Sequence, residues 1–271
     1  MSTQYEHPAF PQPDDPACSL WRYLDVGKFV WFARWKRILM PAATQLGDPL
    51  EGTLPGGDLA WWQEQLQKSS PERRRVVAHN QRVIANFAAE FRGLYFVSCW
   101  TKNPDSPAMW RTYTASHEAV AITTSYDLLR RVLPSYVLLG LVRYISHRHD
   151  RVPTFNMLEY IMHKDVSFAF ENEVRAVALQ PARDEDGLSD FLEHLFERED
   201  DAGFHVFAPP VDVSTLVCRV VLHPRASNAF TQDVSGLCAE HGLPLPEPSG
   251  VADYDAVQDR GGTAEFGRPR L

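Results

Sequence analysis

Charged residues interrupt an apolar run at every second position near residue 170. As a strand, this run places Glu171, Glu173 and Arg175 on one face, because side chains alternate with period two. The opposite face then holds Phe170, Val174 and Ala176. Buried carboxylates need partners or a chemical task, which makes this strip the first candidate for function. A salt-bridged strand without chemistry is the structural alternative.

The remaining hydrophobic pattern predicts short strands that alternate with helices. Strands are expected at 20–24, 37–40, 94–100, 119–124, 137–145 and 213–223. Helices are expected at 28–35, 58–92, from 107, and at 126–132, 154–166 and 229–241. Within 58–92, Ser70 followed by Pro71 is a helix start, and the apolar positions after it have a period of 3.6. The pattern predicts an α+β fold, a single mixed domain of short strands with interleaved helices.

The ends of the chain lack this pattern. Residues 1–19 are rich in Pro and Asp and are expected to form a flexible lead-in. The single domain is expected over 20–245, and residues 246–271 are expected to form a disordered tail. The acidic stretch 184–201 indicates a solvated helix and loop, with no function implied by its charge.

Composition narrows the class of protein. The chain has 35 Asp and Glu against 27 Lys and Arg, which argues against broad binding to duplex nucleic acid. Its four cysteines show neither CxxC nor dense spacing and indicate reduced thiols. No signal peptide is visible, and the longest apolar run, 136–142, is too short to span a bilayer. A soluble cytoplasmic protein without a membrane partner is expected.

Familiar catalytic motifs are missing from the sequence. It contains no P-loop, no GxGxxG and no nucleophile elbow, which argues against phosphoryl transfer, Rossmann dinucleotide use and serine hydrolysis. The His147-Arg-His149-Asp150 segment has no second ligand cluster at zinc-like spacing, and no metal is expected. Asp48 and Glu51 lie on a Gly-Pro turn. This pattern is typical of a turn capped by Asp48, and a substrate-facing acid pair is the alternative.

Several motifs, in order, resemble the bacterial domain-of-unknown-function family 2971. They are Trp21-Arg-Tyr23, Gly47-Asp-Pro-Leu-Glu-Gly52, Cys99-Trp100, Ser106-Pro-Ala-Met-Trp-Arg-Thr-Tyr113, Val142-Arg-Tyr144, Lys164 with Phe168, the glutamate strip, and Val220-Val-Leu-His-Pro-Arg-Ala226. The resemblance covers roughly residues 20 to 245. Ser98 and Thr101 depart from it, because Asn and His are expected there. The family implies no particular reaction.

A second resemblance is at the level of the fold. An N-terminal strand bearing Arg, an aromatic middle strand and a late strand bearing Glu-x-Glu resemble the layout of ADP-ribosyltransferases. This implies NAD as substrate, with Glu173 as the catalytic carboxylate and Glu171 as its helper for an acceptor group. Arg22 would bind phosphate, and an aromatic wall would hold nicotinamide. Trp100, Trp110 and Tyr113 are the candidates for this wall, and Tyr23 is a further cofactor-binding residue. The implied supporting residues are Arg175, Asp48 and Glu51.

Three functions stay open at this stage. The first is an ADP-ribosyltransferase-like enzyme with an unknown acceptor, in bacterial defence or stress. The second is a non-enzymatic module that binds a ligand or partner in the aromatic cleft. The third is a metal-dependent nucleotide or nucleic-acid hydrolase that uses Asp48, Glu51 and Glu171. The sequence identifies neither the acceptor nor the oligomeric state.

Overall fold

A computed structural model describes residues 7–152, 156–179, 198–199 and 204–251 of the chain. The strands are β1 Ser19–Asp25, β2 Met40–Pro41, β3 Tyr95–Thr101, β4 Ala119–Ser125, β5 Leu138–Leu141, β6 Arg143–Ile145, β7 His163–Asp165, β8 Glu173–Leu179, β9 Arg198–Glu199, β10 Phe204–Phe207, β11 Arg219–Leu222 and β12 Pro246–Pro248. The α-helices are α1 Val26–Trp35, α2 Gly56–Lys68, α3 Pro71–Arg92, α4 Pro107–Tyr113, α5 Tyr126–Val132, α6 Met157–Met162, α7 Val213–Leu216 and α8 Asn228–His241. Two 3₁₀ turns are Ala43–Gln45 and Val166–Glu171. The predicted α+β class is confirmed.

Seven strands form the main sheet in the order β12-β11-β4-β1-β3-β8-β5. Strands β11 and β12 are parallel, and the other neighbours in this sheet are antiparallel. A three-stranded sheet has the order β2-β10-β9, and β6 pairs with β7 in parallel. The main sheet therefore joins strands from residue 19 to residue 248.

The pairing between β1 and β3 is incomplete. Strands β1 and β4 match at seven positions, and so do β3 and β8. Strands β1 and β3, in contrast, match at the single pair Trp21↔Thr101. Farther along β3, a bridge joins Ala42 to Phe96 instead. Strands β1 and β3 therefore separate after the pair Trp21↔Thr101, which leaves a space between them.

Both faces of the main sheet are covered by apolar side chains. On one face, Leu20, Trp100 and Val174 belong to the largest core cluster, with residues of α1 and α8. On the other face, Val97 and Val177 pack with Ala9 and other residues in a second cluster. Strand β8 therefore contributes to two cores, as the alternation of its side chains dictates.

The helix start at Ser70 and Pro71 is confirmed. The Ser70 hydroxyl accepts the Arg73 backbone N–H, and α3 begins at Pro71. The helical stretch expected at 58–92 consists of two helices, since α2 ends at Lys68 and α3 begins at this start signal. The expected strand 137–145 is split between β5 and β6, and the expected helix 154–166 ends at Met162.

Packed structure extends beyond the expected domain limits. Phe10 is buried in the core and lies against Gly140, where an added Cβ would be 2.7 Å from the Phe10 Cα. At the other end, β12 pairs with β11 through residues 246–248. The acidic stretch lies outside the described residues except for 198–199, as does the chain after 251. In the described part of the chain, no helix is long and apolar enough to span a membrane.

Candidate functional site

The glutamate strip consists of a turn followed by a strand. Glu171 ends the 3₁₀ turn, Asn172 adopts a left-handed conformation with φ 46°, and β8 begins at Glu173. The expectation that Glu171 lies on the strand is therefore wrong. The shared face of Glu173 and Arg175 is confirmed, because the Arg175 Nε donates to the Glu173 Oε1 at 2.7 Å. Phe170, expected on the opposite core face, is exposed in the turn.

Five charged side chains form one buried cluster. Lys164 Nζ lies 2.6 Å from Glu171 Oε2, 3.0 Å from Glu51 Oε1 and 3.4 Å from Glu173 Oε2. Arg175 Nη2 lies 2.6 Å from Glu51 Oε1 and 2.9 Å from Glu173 Oε2. All five residues are at most 7% exposed. Three carboxylates and two cations give the ionised cluster a formal charge of −1.

The two glutamates of the strip have different electrostatic environments. Burial favours the neutral acid, but the Arg175 and Lys164 cations outweigh burial and lower the pKa of Glu173 to about 2. For Glu171, burial is the larger effect and raises the pKa, despite the opposing effect of Lys164. Glu173 is therefore the more firmly ionised carboxylate.

A loop distant in sequence supplies Glu51. The Arg92 Nε donates to the Glu51 carbonyl at 2.8 Å, which fixes the loop to α3. Gly52 follows with φ 71°, a conformation that favours glycine. Asp48 points elsewhere: its Oδ1 accepts the Leu50 backbone N–H at 2.9 Å, which is the capped turn that the sequence favours. The loop thus brings Glu51, but not Asp48, into the cluster.

A cavity of about 290 Å³ lies where β1 and β3 separate. Residues 21–24 of β1, residues 97 and 99–101 of β3, and part of the segment 39–46 line it. Glu171, Glu173 and Tyr113 also line it. Glu173 is in register with Thr101, whereas the 39–46 segment bridges to Phe96. Thr101 and Phe96 are five residues apart on β3, which corresponds to about 17 Å at 3.4 Å per residue.

Arg22, the phosphate-binding residue that the fold-level resemblance implies, lies in the cavity wall. Its Nη2 donates to the Leu39 carbonyl at 2.7 Å, and its guanidinium lies 5.7 Å from the Trp100 ring centroid. Within the described residues no carboxylate pairs with it. Burial lowers its pKa to about 10, so it remains a cation at neutral pH. A half-buried cation without an acidic partner among the described residues is suited to binding an anion.

The aromatic wall differs from expectation in one residue. Tyr23, Tyr113 and Trp100 line the cavity, but Trp110 does not. Trp110 instead packs edge-on against Tyr23 at a centroid distance of 4.8 Å, and its Nε1 donates to Asp105 Oδ1. Trp110 and Tyr113 do share a helix face, because both rings contact Tyr23. Trp110 is therefore a core residue behind the wall.

Three residues at the site had no assigned role in the sequence analysis. Lys164 contacts three carboxylates, the Tyr144 hydroxyl accepts the Glu173 backbone N–H at 2.8 Å, and the Cys99 thiol interacts electrostatically with Glu173. Burial raises the pKa of Cys99, which keeps it a thiol. Charge balance could have indicated Lys164, since three buried carboxylates require more than the one cation Arg175.

Comparisons with known proteins give little. No family model and no curated protein matches the chain. Among solved structures, the chain is similar to Thermus sp. 2.9 DarT in complex with ADP-ribosylated ssDNA, at 9% identity and a TM-score of 0.36. The similarity covers 88% of this chain and 95% of that chain. A TM-score this low supports no transfer of function.

Proposed function

We propose that the protein cleaves NAD at the nicotinamide glycosidic bond and transfers ADP-ribose to an acceptor. One observation carries the proposal: a single cavity is lined by the carboxylates of Glu171 and Glu173 and by the cation of Arg22, which pairs with no carboxylate in the described part of the chain. NAD has complementary charges, a cationic nicotinamide ring and an anionic pyrophosphate. A dinucleotide oriented with its nicotinamide at Glu173 and its pyrophosphate at Arg22 would match both.

Each residue then has a chemical role. When nicotinamide leaves, positive charge develops at the anomeric carbon of the ribose, and the fixed Glu173 carboxylate stabilises it. Arg175 holds Glu173 through two hydrogen bonds, at 2.7 and 2.9 Å. Glu171 accepts the proton that the acceptor loses as its bond to the ribose forms. Tyr23 and Tyr113 offer aromatic surfaces to the nicotinamide.

The geometry is less favourable to the metal-dependent hydrolase. Asp48 caps a backbone turn, while Glu51 and Glu171 are paired with Arg175 and Lys164. A divalent cation would have to compete with these cations for the same oxygens. The three carboxylates therefore do not form a set of free oxygen ligands.

Substitution of Glu173 by Gln tests the catalytic role. Glu173→Gln should lower NAD turnover by about a hundredfold or more, because it removes the charge that stabilises the transition state. The fold should survive, since Arg175 keeps Glu51 as a partner. Turnover is measured as nicotinamide released from NAD, with cell extract as the source of acceptor, and folding by thermal melting.

Glu51→Gln is the matched control. Glu51 belongs to the same buried cluster but does not line the cavity. The control should therefore lose stability with a smaller loss of turnover than Glu173→Gln. Equal turnover in a folded Glu173→Gln protein would refute the catalytic assignment. Wild-type protein that binds NAD without consuming it would indicate the binding module, and protein that does neither would exclude an NAD site.

A further inference from the structure

The side chains of Glu171 and Glu173 are oriented by different means, because only Glu173 lies on a strand. Glu173 lies on β8, where the strand and Arg175 fix its direction. Glu171 lies in a turn, one residue before the left-handed Asn172. The Thr101 hydroxyl fixes the Glu171 backbone by donating to its carbonyl at 2.6 Å. The backbone conformation alone leaves the Glu171 side chain free to choose among rotamers.

The side chain of Glu171 interacts with one residue on the protein side and one on the cavity side. Lys164 Nζ donates to its Oε2 at 2.6 Å, the shortest contact of that ammonium group. Tyr113, on the cavity side, also favours the ionised form of this carboxylate. Tyr113 lines the cavity, whereas Lys164 does not. Lys164 therefore reaches the carboxylate from behind, on the protein side.

Lys164 is itself firmly placed. It lies on β7 in register with Tyr144 of β6, and Tyr144 binds the backbone N–H of Glu173. The ring of Phe168 lies with its centroid 4.7 Å from the Lys164 Nζ. The pair β6–β7 thus contacts both glutamates, one through Tyr144 and the other through Lys164. Neither β6 nor β7 belongs to the main sheet.

We propose that Lys164 is a positioning residue, whose ammonium group holds the Glu171 carboxylate in the cavity at the place where an acceptor would bind. The inference rests on the proposed function, since it assigns Lys164 an effect on transfer that is exerted through Glu171. A merely structural Lys164 would stabilise the buried cluster and leave the chemistry of a folded variant unchanged.

The primary variant is Lys164→Met, which keeps a long side chain and removes the charge. We expect kcat for NAD to fall about a hundredfold, as for a displaced reacting group, while KM changes little. The acid limb of the kcat–pH profile should move to higher pH, because Glu171 loses its nearest cation. Lys164→Arg, which restores a cation, should recover part of the activity. Lys68→Met, on the exposed surface of α2, is the control.

A double variant distinguishes positioning through Glu171 from an independent effect. In a Glu171→Gln background, Lys164→Met should change kcat by no more than about twofold, because two residues that act through one contact have non-additive effects. The double variant also removes both members of the pair, so it remains informative if Lys164→Met alone fails to fold. A large additional loss in kcat would overturn the proposal. So would an unchanged kcat and pH profile in folded Lys164→Met.

A measurement without NAD separates this inference from the proposed function. Carboxyl ¹³C NMR titration of glutamate-labelled protein, with Glu171 assigned by the Glu171→Gln variant, reports the pKa of Glu171 directly. In Lys164→Met the titration should move to higher pH, and an unchanged titration would overturn the inference. If wild-type protein fails to consume NAD, the proposed function fails, and the role of Lys164 in transfer fails with it. A shifted titration of Glu171 would then establish only that Lys164 interacts electrostatically with Glu171.

Discussion

Glu171 and Glu173 are two residues apart, but their carboxyl groups respond in opposite directions to the same cluster. Burial raises the pKa of Glu171, whereas Arg175 and Lys164 outweigh burial at Glu173 and lower its pKa to about 2. Two carboxylates whose environments separate their pKa values can take different roles. Glu173 suits the permanent anion that faces a developing cation, and Glu171 suits the group that exchanges a proton.

The pH profile should identify which glutamate limits activity in acid. Glu173 stays ionised down to about pH 2, so it cannot account for a loss of activity at milder pH. Glu171, with Lys164, Glu173 and Tyr113 around it, protonates above the ordinary glutamate value of about 4.3. We therefore expect kcat to fall as pH is lowered through the raised pKa of Glu171.

The same experiment on Glu171→Gln provides the comparison. This variant should retain a lower activity whose acid limb is lost, because the titrating group is gone. Initial rates of nicotinamide release between pH 3.5 and 8, on protein shown to be folded by circular dichroism, give both profiles. An acid limb that persists in Glu171→Gln would assign it to another residue.

At the scale of elements, the sequence predicted those helices and strands that contain a capping residue or a clear hydrophobic period. Helix α3 has a capping Ser70 and Pro71 at its first position, together with an apolar period of 3.6. Strand β8 was predicted from the alternation of its side chains, and the contact between Glu173 and Arg175 confirms that register. These elements have caps or periodicities that a short stretch of sequence contains in full.

Tertiary pairing decided the elements that the sequence did not predict. The apolar stretch 137–145 was expected as one strand, but its first half pairs with β8 and its second half with β7. The expected strand 213–223 begins instead with helix α7, because Asp212 accepts hydrogen bonds from the backbone N–H groups of Ser214 and Thr215. In the first case no local signal marks the change of partner, and in the second a cap outweighed β-branched side chains.

The candidate site was predicted in part for the same reason. Alternation was enough to select Glu173 and Arg175, which are neighbours on one strand. Glu51 is 124 residues from Arg175, and the contact between them depends on how the 47–52 loop packs. Lys164 lies on a three-residue strand whose partner is β6. Charge balance could have called for such a cation, but it could not have specified its position.

Helix α4 gives a prediction that separates its two faces. Trp110 is 2% exposed and packs between Tyr23 and His223, so Trp110→Ala should lower the free energy of unfolding by about 3–5 kcal/mol. Trp110→Phe should cost less, because it keeps a ring and loses the bond to Asp105. Since Trp110 does not line the cavity, folded Trp110→Phe should bind NAD as the wild type does. Urea denaturation measures the free energy of unfolding, and NAD titration measures the affinity. If Trp110→Phe weakens NAD binding without loss of stability, Trp110 contributes to the binding pocket after all.

At the scale of the whole molecule, the main sheet connects the separate cores. Strand β8 contributes Val174 to the large cluster with α1 and α8, and Val177 to the cluster that contains Phe10. The same strand carries Glu173 and Arg175. The position of the site therefore depends on packing on both faces of the sheet. This arrangement leads us to propose a single cooperative domain, with no independent unit on either side of residues 145–155.

Paired substitutions on β8 test that proposal. Val174 and Val177 are each at most 1% exposed and face opposite cores. Val174→Ala and Val177→Ala each remove two carbons, at about 0.8 kcal/mol for each buried methylene-sized group. In a single cooperative unit, each variant should lower one shared transition by about 2 kcal/mol. Tryptophan fluorescence and far-ultraviolet circular dichroism should then trace the same urea curve for all three proteins. If the cores unfold independently, each variant will shift only one of two transitions, and the two probes will separate.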